Sequence, residues 1–226
     1  DIKKLESLIS KRTKAIIPVH LFGQPAEMEI INKLAAQNNL FVIEDAACGF
    51  GAKIKGKHVG NFGHTGVFSF HPRKAITTGE GGMVTTNDSE LAKKIRCLRD
   101  HGASISDLQR HLGPKPYLLA DHPEAGFNQR MTDIQASLGS EQMLRAKNVC
   151  DERSRIAKLL DEGLSDLNNI LTPLKMKNIK HGYQSYACLA FPDEVFNSLK
   201  FLNEEAIKKI NNKRNKIMED LLERGI

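Results

Sequence analysis

The sequence predicts an α/β fold in which a parallel sheet carries helices on both faces, followed by part of a smaller α+β domain. Residues 14–20 (KAIIPVH) and 40–47 (LFVIEDAA) are short apolar runs that are typical of buried strands. Between them, Pro25 stands at the favoured first position of an amphipathic helix that we expect to end at Asn38. A strand, a helix and a second strand at this spacing form a βαβ unit, which predicts parallel strands.

Two further strands and a helix are predicted after the βαβ unit. Residues 65–71 (TGVFSFH) and 81–86 (GGMVTT) are apolar runs that follow glycine-rich turns, and we interpret both as strands. Residues 87–100 then form a helix in which Asn87 is the expected cap, with Glu90 three residues later. Three side chains of this helix are expected to face inward: Leu91, Ile95 and Leu98.

The segment 101–126 shows little periodicity and contains three prolines, so we predict a long loop excursion. Loops of this length are usually functional or mobile. Thr132 and Gln135 then form a capping box that opens another helix. Ile134 and Leu138 are the residues of that helix that we expect to face inward.

The remainder of the chain predicts a second, smaller domain. A polar, charged stretch from Arg145 to Lys158 leads into a weak strand at 183–191 and a helix over 203–224. We therefore divide the chain into a partial large domain, residues 1–145, and a partial small C-terminal domain, residues 146–226.

Composition and charge narrow the class of protein. The net charge of +6 is spread along the chain, which favours a mildly basic enzyme over a nucleic-acid-binding module. No apolar run approaches the roughly 20 residues of a membrane span. The four cysteines lack metal-ligand, thioredoxin or disulfide-framework spacing, so we expect a reducing, cytoplasmic compartment and no metal site. These cysteines are Cys48, Cys97, Cys150 and Cys188.

One carboxylate stands where ligands bind in open α/β sheets. Asp45 follows the apolar run of the second strand directly, which places it at the carboxyl end of a parallel strand. A residue at this position serves either as a ligand contact or as the cap of the next turn, and the position alone leaves both open.

One lysine has an unusual setting. Lys74 lies between two apolar strands, just before a Thr-Thr-Gly-Glu-Gly-Gly turn whose small residues let a ligand approach the backbone. A lysine in a partly desolvated place has a lowered pKa. Its neutral amine can then attack an aldehyde, which is the chemistry of a Schiff-base lysine.

Together these segments resemble the DegT/DnrJ/EryC1/StrS aminotransferases, which aminate nucleotide-linked keto-sugars with pyridoxal 5′-phosphate (PLP). The resemblance covers most of the chain in order, and the spacing of 29 residues from Asp45 to Lys74 fits the family. It implies the fold-type I PLP-transferase (aspartate-aminotransferase-like) large-domain sheet, with part of the small domain. The matching segments are KAIIPVHLFGQPAEM, EDAACGFGA, GKHVGNFGHTGVFSFHPRKAITTGEGGMVTTN and GFNQRMTDIQASLG.

The resemblance implies a role for four residues and a position at the subunit interface for a fifth, Arg130. Lys74 would hold the cofactor as a Schiff base and move the proton between substrate and cofactor. Asp45 would pair with the pyridinium nitrogen, and Ser69 would bind the phosphate. Asn128 would reach the cofactor phosphate of the neighbouring subunit, with Arg130 near the same interface.

The resemblance also implies substrates and partners. An amino acid, which the resemblance gives as glutamate, would donate the amino group to a nucleotide-linked keto-sugar, for amino-sugar and cell-surface polysaccharide biosynthesis. The enzyme would be a homodimer with shared active sites, and would need neither nucleic acid nor a membrane.

Two features depart from the family pattern. Many members carry Gln three residues after the aspartate, against the phenolic oxygen of the cofactor, whereas this chain has Cys48. Cys48 is therefore a possible cofactor contact, although a thiol is a weak hydrogen-bonding group. The family also has a Gly-Thr turn and a stacking aromatic ring before the position of Asp1, so we expect the sequence to be a fragment of a longer enzyme.

Three other interpretations compete with the aminotransferase. The sugar 3-dehydratase branch of the family has His in place of the lysine, and Lys74 argues against it. A catalytically incomplete fragment or a regulatory or scaffold protein of the same fold is the alternative to an active enzyme, and the presence of Lys74 and Asp45 argues against the regulatory form. A nucleic-acid-binding module has only the net charge in its favour.

Overall fold

The computed structural model describes residues 1–200 and 203–226, and these form eight helices and nine strands besides two short 3-10 turns. The strands are β1 Ala15–Ile16, β2 Phe41–Asp45, β3 Lys53–Ile54, β4 Lys57–His58, β5 Thr65–Ser69, β6 Gly82–Thr85, β7 Ile170–Leu171, β8 Ile179–Lys180 and β9 Leu189–Ala190. The helices are α1 Leu5–Leu8, α2 Met28–Gln37, α3 Ser89–Arg99, α4 Asp107–Leu112, α5 Asp133–Leu144, α6 Ala146–Gly163, α7 Pro192–Lys200 and α8 Glu204–Glu223.

The main sheet has the strand order β1-β2-β5-β6. β1, β2 and β5 run parallel, as the βαβ pattern predicts, while β6 pairs with β5 antiparallel. Antiparallel pairing is possible there because β6 returns from β5 through a turn on the same edge of the sheet and needs no crossover helix. A second sheet of the order β4-β3-β8 and a two-stranded β7-β9 pair complete the strands.

The core beside the parallel strands is built by α2. Met28, Ile31 and Ala35 are buried at helical spacing and pack with Val42 of β2 and with Leu40 just before it. The predicted first residue of this helix was Pro25, whereas α2 begins three residues later, at Met28. The Ala26 amide explains this, because it donates a hydrogen bond of 3.0 Å to His20 Nδ1, which ties the segment outside the helix.

Three predicted boundaries and one predicted loop are corrected by the structure. Asp88, rather than Asn87, caps α3, because its carboxylate accepts hydrogen bonds from the amides of Glu90 and Leu91. The predicted strand 183–191 is reduced to β9, and that of 14–20 to β1 with a bridge at Val19. The predicted loop 101–126 contains α4, which begins with a capping box formed by Ser106 and Gln109.

Helix α5 begins at the predicted capping box of Thr132 and Gln135, but its apolar residues do not face the interior of this chain. Ile134 is 84% exposed and Leu138 is 46% exposed, so the prediction that they face inward is wrong for the isolated chain. The charged stretch after α5 is not irregular either, since it forms the 18-residue helix α6.

The described chain divides into two compact units. The first unit consists of residues 1–153 and 177–184, and the second of residues 154–176 and 185–226. The first unit contains the main sheet and every site residue predicted from the sequence. Among the helices of residues 1–200 and 203–226, none is both long enough and apolar enough to cross a membrane.

Candidate active site

Two predicted site residues lie at one edge of the main sheet. Asp45 is the last residue of β2, and its Cα is in register with Val67 of the parallel strand β5. Ser69 ends β5 two residues further on. Because the carboxyl ends of parallel strands meet at the same edge of a sheet, Asp45 and Ser69 are placed where open α/β folds bind ligands.

The structure brings Lys74 to the turn that follows Asp45. The Nζ atom of Lys74 lies 3.2 Å from Sγ of Cys48, which is three residues after Asp45. Both side chains are half-buried. Among the described residues, no carboxylate pairs with Lys74, so its amine has the thiol as its only hydrogen-bond partner. No sequence pattern predicts this contact, which results from the fold of the two turns.

Ser69 and Lys74 are joined by a tightly bonded turn. The Ser69 hydroxyl accepts a hydrogen bond of 3.3 Å from the amide of His71, and the Lys74 amide donates one of 2.9 Å to the carbonyl of His71. The His71 ring takes part through Nδ1, which accepts from the amide of Arg73 at 3.2 Å. His71 therefore stabilises the turn through both its backbone and its ring.

Asp45 is available for a ligand on one side. Its Oδ1 accepts a hydrogen bond of 3.0 Å from the amide of Ala47, which is the turn-forming contact that the sequence left open. Within the part of the chain that the structure describes, Oδ2 has no hydrogen-bond partner. The residue is half-buried, so Asp45 shapes the turn with one oxygen and can accept a further hydrogen bond with the other.

Sequence reasoning missed the neighbouring carboxylate, Glu44, which is completely buried. Its Oε2 lies 3.0 Å from Nε2 of His20 and accepts from the amide of Gly60 at 2.7 Å. Its Oε1 accepts from the amides of Phe62 and Gly63 at 2.6 and 2.7 Å. Because Nδ1 of His20 accepts from the backbone, Nε2 carries the hydrogen and donates to Glu44.

The hydrogen bonds around Glu44 decide its charge. Burial alone would raise the pKa of this carboxyl group, but the His20 hydrogen bond and the three backbone amides outweigh burial and lower the pKa. Glu44 is therefore an ionised anchor that fixes the 58–64 segment beneath β2. A signal for it was present in the sequence, since side chains alternate along a strand and Asp45 and Glu44 must face opposite sides.

Asn128 lies apart from the other predicted site residues. Its backbone forms an isolated antiparallel bridge with Asp100, and the residue is exposed. Arg130 pairs with the carboxylate of Asp100. Among the described residues, no contact joins Asn128 to Asp45, Ser69 or Lys74.

The donor set at the sheet edge fits PLP. An amine without an ion pair suits the aldehyde of that cofactor, and a carboxylate with an open oxygen suits its pyridinium nitrogen. Lys74 and Asp45 supply these two groups, and Ser69 supplies a hydroxyl. No group of three or more His, Cys, Asp or Glu side chains within the described ranges could hold a metal ion.

The chain is similar to sugar aminotransferases in both sequence and structure. It is 45% identical over 172 residues to the GDP-perosamine synthase of Caulobacter vibrioides, covering 76% of this chain and 43% of that protein. It is also 37% identical over 212 residues to a "pleiotropic regulatory protein" of Geobacillus stearothermophilus, and the alignment covers 92% of this chain and 52% of that protein. The Helicobacter pylori PseC structure, an aminotransferase involved in the biosynthesis of pseudoaminic acid, aligns with a TM-score of 0.78 and 32% identity, covering 92% of this chain and 54% of that one.

These similarities confirm the fold-type I α/β architecture that the resemblance implied. The chain spans about half the length of the curated relatives it matches. Residues 1–218 match the model of the DegT/DnrJ/EryC1/StrS aminotransferases. With the parallel sheet, the lysine turn and the carboxylate at the end of β2 all in place, this chain belongs to the DegT/DnrJ/EryC1/StrS aminotransferase family.

Proposed function

We propose that the protein catalyses the PLP-dependent transfer of an amino group from an amino acid to a nucleotide-linked keto-sugar, with glutamate as the proposed amino donor. The product would serve the biosynthesis of amino sugars and cell-surface polysaccharides. The observation that carries the proposal is the half-buried amine of Lys74, which lies against the turn that follows Asp45 and has the Cys48 thiol at 3.2 Å in place of an ion-pair partner.

Each residue of the site has a defined task in this proposal. The amine of Lys74 would hold the cofactor and could then take and return a proton, which is general acid–base work typically worth about 10²–10⁴ in rate. The carboxylate of Asp45 would face the ring nitrogen, and its negative charge would keep that nitrogen protonated. Ser69 would bind the phosphate through its hydroxyl group. Bound PLP supplies an electron sink that stabilises negative charge on the substrate.

Cys48 takes a modest part in the site. The thiol is close enough to contact the cofactor beside Lys74, and it replaces a stronger hydrogen-bonding group of many relatives. We therefore propose that Cys48 lines the cofactor site, and that Cys48→Gln preserves or tightens cofactor binding.

A homodimer completes the proposal. Asn128 and Arg130 lie away from Lys74 in this chain, which suits a role in the active site of a second copy. The contact between Arg130 and Asp100 would hold the Asn128 segment in a fixed position for that purpose.

A regulatory protein of the same fold is the second candidate. The similarity to a protein named as a pleiotropic regulator favours it. The two candidates differ at Lys74, because only the enzyme requires a reactive amine there.

Cofactor trapping separates the two candidates. The protein is mixed with PLP and reduced with borohydride, and its peptides are mapped by mass spectrometry. Before reduction, we expect an absorbance band at about 420 nm. After reduction, the mass of the reduced PLP adduct should be found on the peptide that contains Lys74. Asp45→Asn should weaken the band, because the ring nitrogen loses its negative partner.

The matched control is Lys57→Arg, which changes an exposed lysine on the β4 strand outside the site. It should label like the unmodified protein, whereas Lys74→Arg should lose the label. Equal labelling of Lys74 and the exposed lysines would refute the proposal and favour the regulatory candidate. The same measurement on the longer parent protein, followed by assay with nucleotide-linked keto-sugars, tests the reaction itself.

A further inference from the structure

We propose that three glutamines, Gln135, Gln142 and Gln184, are positioning residues that hold the lysine loop, residues 70–81, and thereby the Nζ atom of Lys74. None of the three was predicted as a site residue. Each donates its side-chain amide to a backbone carbonyl of the lysine loop. This inference rests on the proposed function, since it assigns a role in placing the cofactor lysine.

Gln184 contacts the residue immediately before the lysine. Its Nε2 donates a hydrogen bond of 2.7 Å to the carbonyl of Arg73, across 111 positions of sequence. Gln184 is itself fixed, because the guanidinium of Arg153 donates to the carbonyls of Tyr183 and Gln184 at 2.8 and 3.3 Å. The peptide plane before Lys74 is therefore tied to an anchored segment.

Gln142 holds the loop three residues beyond the lysine. From α5, its Nε2 donates to the carbonyl of Thr77 at 2.7 Å, and its Oε1 accepts from the amide of the same residue at 3.1 Å. One side chain thus satisfies both backbone groups of Thr77, as a neighbouring strand would. Thr77 in turn is bound to the start of the loop, because its hydroxyl donates to the carbonyl of Phe70 at 2.9 Å.

Gln135 ties the far end of the loop to the first turn of α5. Its Nε2 donates to the carbonyl of Glu80 at 2.9 Å, and its Oε1 accepts from the amide of Thr132 at 3.0 Å. The same side chain therefore serves the capping box and the lysine loop. The loop is held at its beginning, middle and end by groups outside it.

The chemistry of the amide explains the use of glutamine. Glutamine donates to a carbonyl without carrying charge, so the loop is fixed without placing a carboxylate near the amine of Lys74. A carboxylate in that position would favour the charged ammonium form, which cannot attack an aldehyde. Loose positioning is also costly, because a misplacement of about 1 Å at a reacting group can lower a rate by roughly 10²-fold.

Gln135→Glu is the sharpest test. Glutamate keeps the capping box, because its oxygen still accepts from Thr132, but it cannot donate to Glu80. The matched control is Gln109→Glu, which makes the same change in the capping box of α4, outside the lysine loop. Gln142→Ala and Gln184→Ala remove the other two ties, with far-UV circular dichroism and the thermal midpoint recorded to show that each variant is folded.

Two labelling reactions are measured as ratios of Lys74 to the exposed Lys57 in the same sample. Trapping of PLP by borohydride at Lys74 should fall by about 2- to 12-fold for each lost tie, the range expected for one net hydrogen bond. Acetylation by acetic anhydride without cofactor should rise at Lys74 in Gln142→Ala and Gln184→Ala, because the loosened amine becomes more accessible and neither variant adds a charge. In Gln135→Glu the new carboxylate favours the ammonium form, so the acetylation ratio should rise less or fall. The Gln109→Glu control should change neither ratio.

The two reactions separate failure of the inference from failure of the proposed function. Unchanged ratios in folded Gln135→Glu, Gln142→Ala and Gln184→Ala proteins would overturn the positioning role. Absence of PLP trapping at Lys74 in the unmodified protein would overturn the proposed function, and the acetylation ratio would then still decide whether the glutamines hold the lysine. A rise in acetylation with trapping unchanged would overturn the inference, since the ties would then be structural only.

Discussion

Glu44 shows how a buried charge can anchor the fold beside a ligand site. Four hydrogen-bond donors surround its carboxylate, and the ionised form accepts from all four. A glutamine at this position would place its own NH₂ group against at least one of these donors, where no hydrogen bond can form. Removing one partner of a buried charged group typically costs about 3–5 kcal/mol. We therefore expect Glu44→Gln to lower the free energy of unfolding at pH 7 by about that amount, measured by urea denaturation.

The pH dependence of stability provides a second measure of Glu44. The folded pKa is lowered, so the stabilisation is present above the ordinary glutamate pKa of about 4.3 and is lost as the pH falls through the lower folded value. The unmodified protein should lose this contribution on acidification below about pH 4.3. Glu44→Gln should show a shallower loss over the same interval, and identical slopes would contradict the anchoring role.

Among individual residues, some site positions could be predicted from the sequence and others could not. Asp45 and Lys74 could be predicted because each follows or adjoins an apolar strand in a recognisable pattern. Glu44 also carries a carboxylate and is adjacent to Asp45, and the two side chains differ in role because they face opposite sides of β2. The contact between Lys74 and Cys48 joins two turns that are 26 residues apart, and no local periodicity encodes it.

At the scale of elements, the β4-β3-β8 sheet places like charges directly opposite one another. Lys53 of β3 is in register with Lys180 of β8 on one side and with His58 of β4 on the other. The pKa of His58 is lowered by burial and then by these two lysines. Like charges opposite one another across strands are destabilising, by an amount comparable to the roughly 0.2–1 kcal/mol of a favourable pair.

Replacement of Lys53 should therefore stabilise the protein. We expect Lys53→Thr to raise the free energy of unfolding by about 0.2–1 kcal/mol at low salt, and to raise the pKa of His58 as followed by NMR titration. The gain should shrink at high salt, where charge repulsion is screened. Lys57→Thr is the comparison, because Lys57 pairs with Ile54 rather than with a cation, and it should not stabilise the protein, since it removes the ammonium 4.7 Å from the centre of the Phe62 ring. A lower free energy of unfolding in Lys53→Thr than in the unmodified protein would contradict this explanation.

The elements that sequence patterns predicted best are those with strong local signals. β2 and α8 were predicted to within one or two residues, because an apolar run and the Asn203 cap mark them. α6 was not predicted as a helix, since its charged residues resemble a solvated linker. Lys, Arg and Glu are nevertheless good helix formers, and the helix follows α5 after one residue.

At the scale of the whole molecule, helix α5 of the first unit carries two exposed apolar side chains on one face. Ile134 and Leu138 lie one helical turn apart and are 84% and 46% exposed. The helix begins five residues after Asn128, which the proposed homodimer places at the interface. Large apolar side chains grouped on one helix face typically mark a contact with another protein surface.

Ile134→Glu should therefore disrupt self-association of this chain. In a two-fold symmetric dimer the same patch occurs on both subunits, so each substitution places two carboxylates in the interface. We expect the unmodified chain to sediment as a dimer and Ile134→Glu to shift it towards the monomer by at least about tenfold in dissociation constant, which corresponds to about 1.4 kcal/mol. Sedimentation velocity at several concentrations measures the change.

Leu222→Glu provides the control for this prediction, because Leu222 is exposed on α8 in the second unit. It introduces the same charge on an apolar position outside α5 and should leave the sedimenting species unchanged. Ile134→Glu should also retain a helical far-UV spectrum, since the residue contributes little to the interior of the isolated chain. A dimer that persists in Ile134→Glu, or an unmodified chain that is monomeric at all concentrations, would show that α5 does not form the subunit contact and that Asn128 acts in another way.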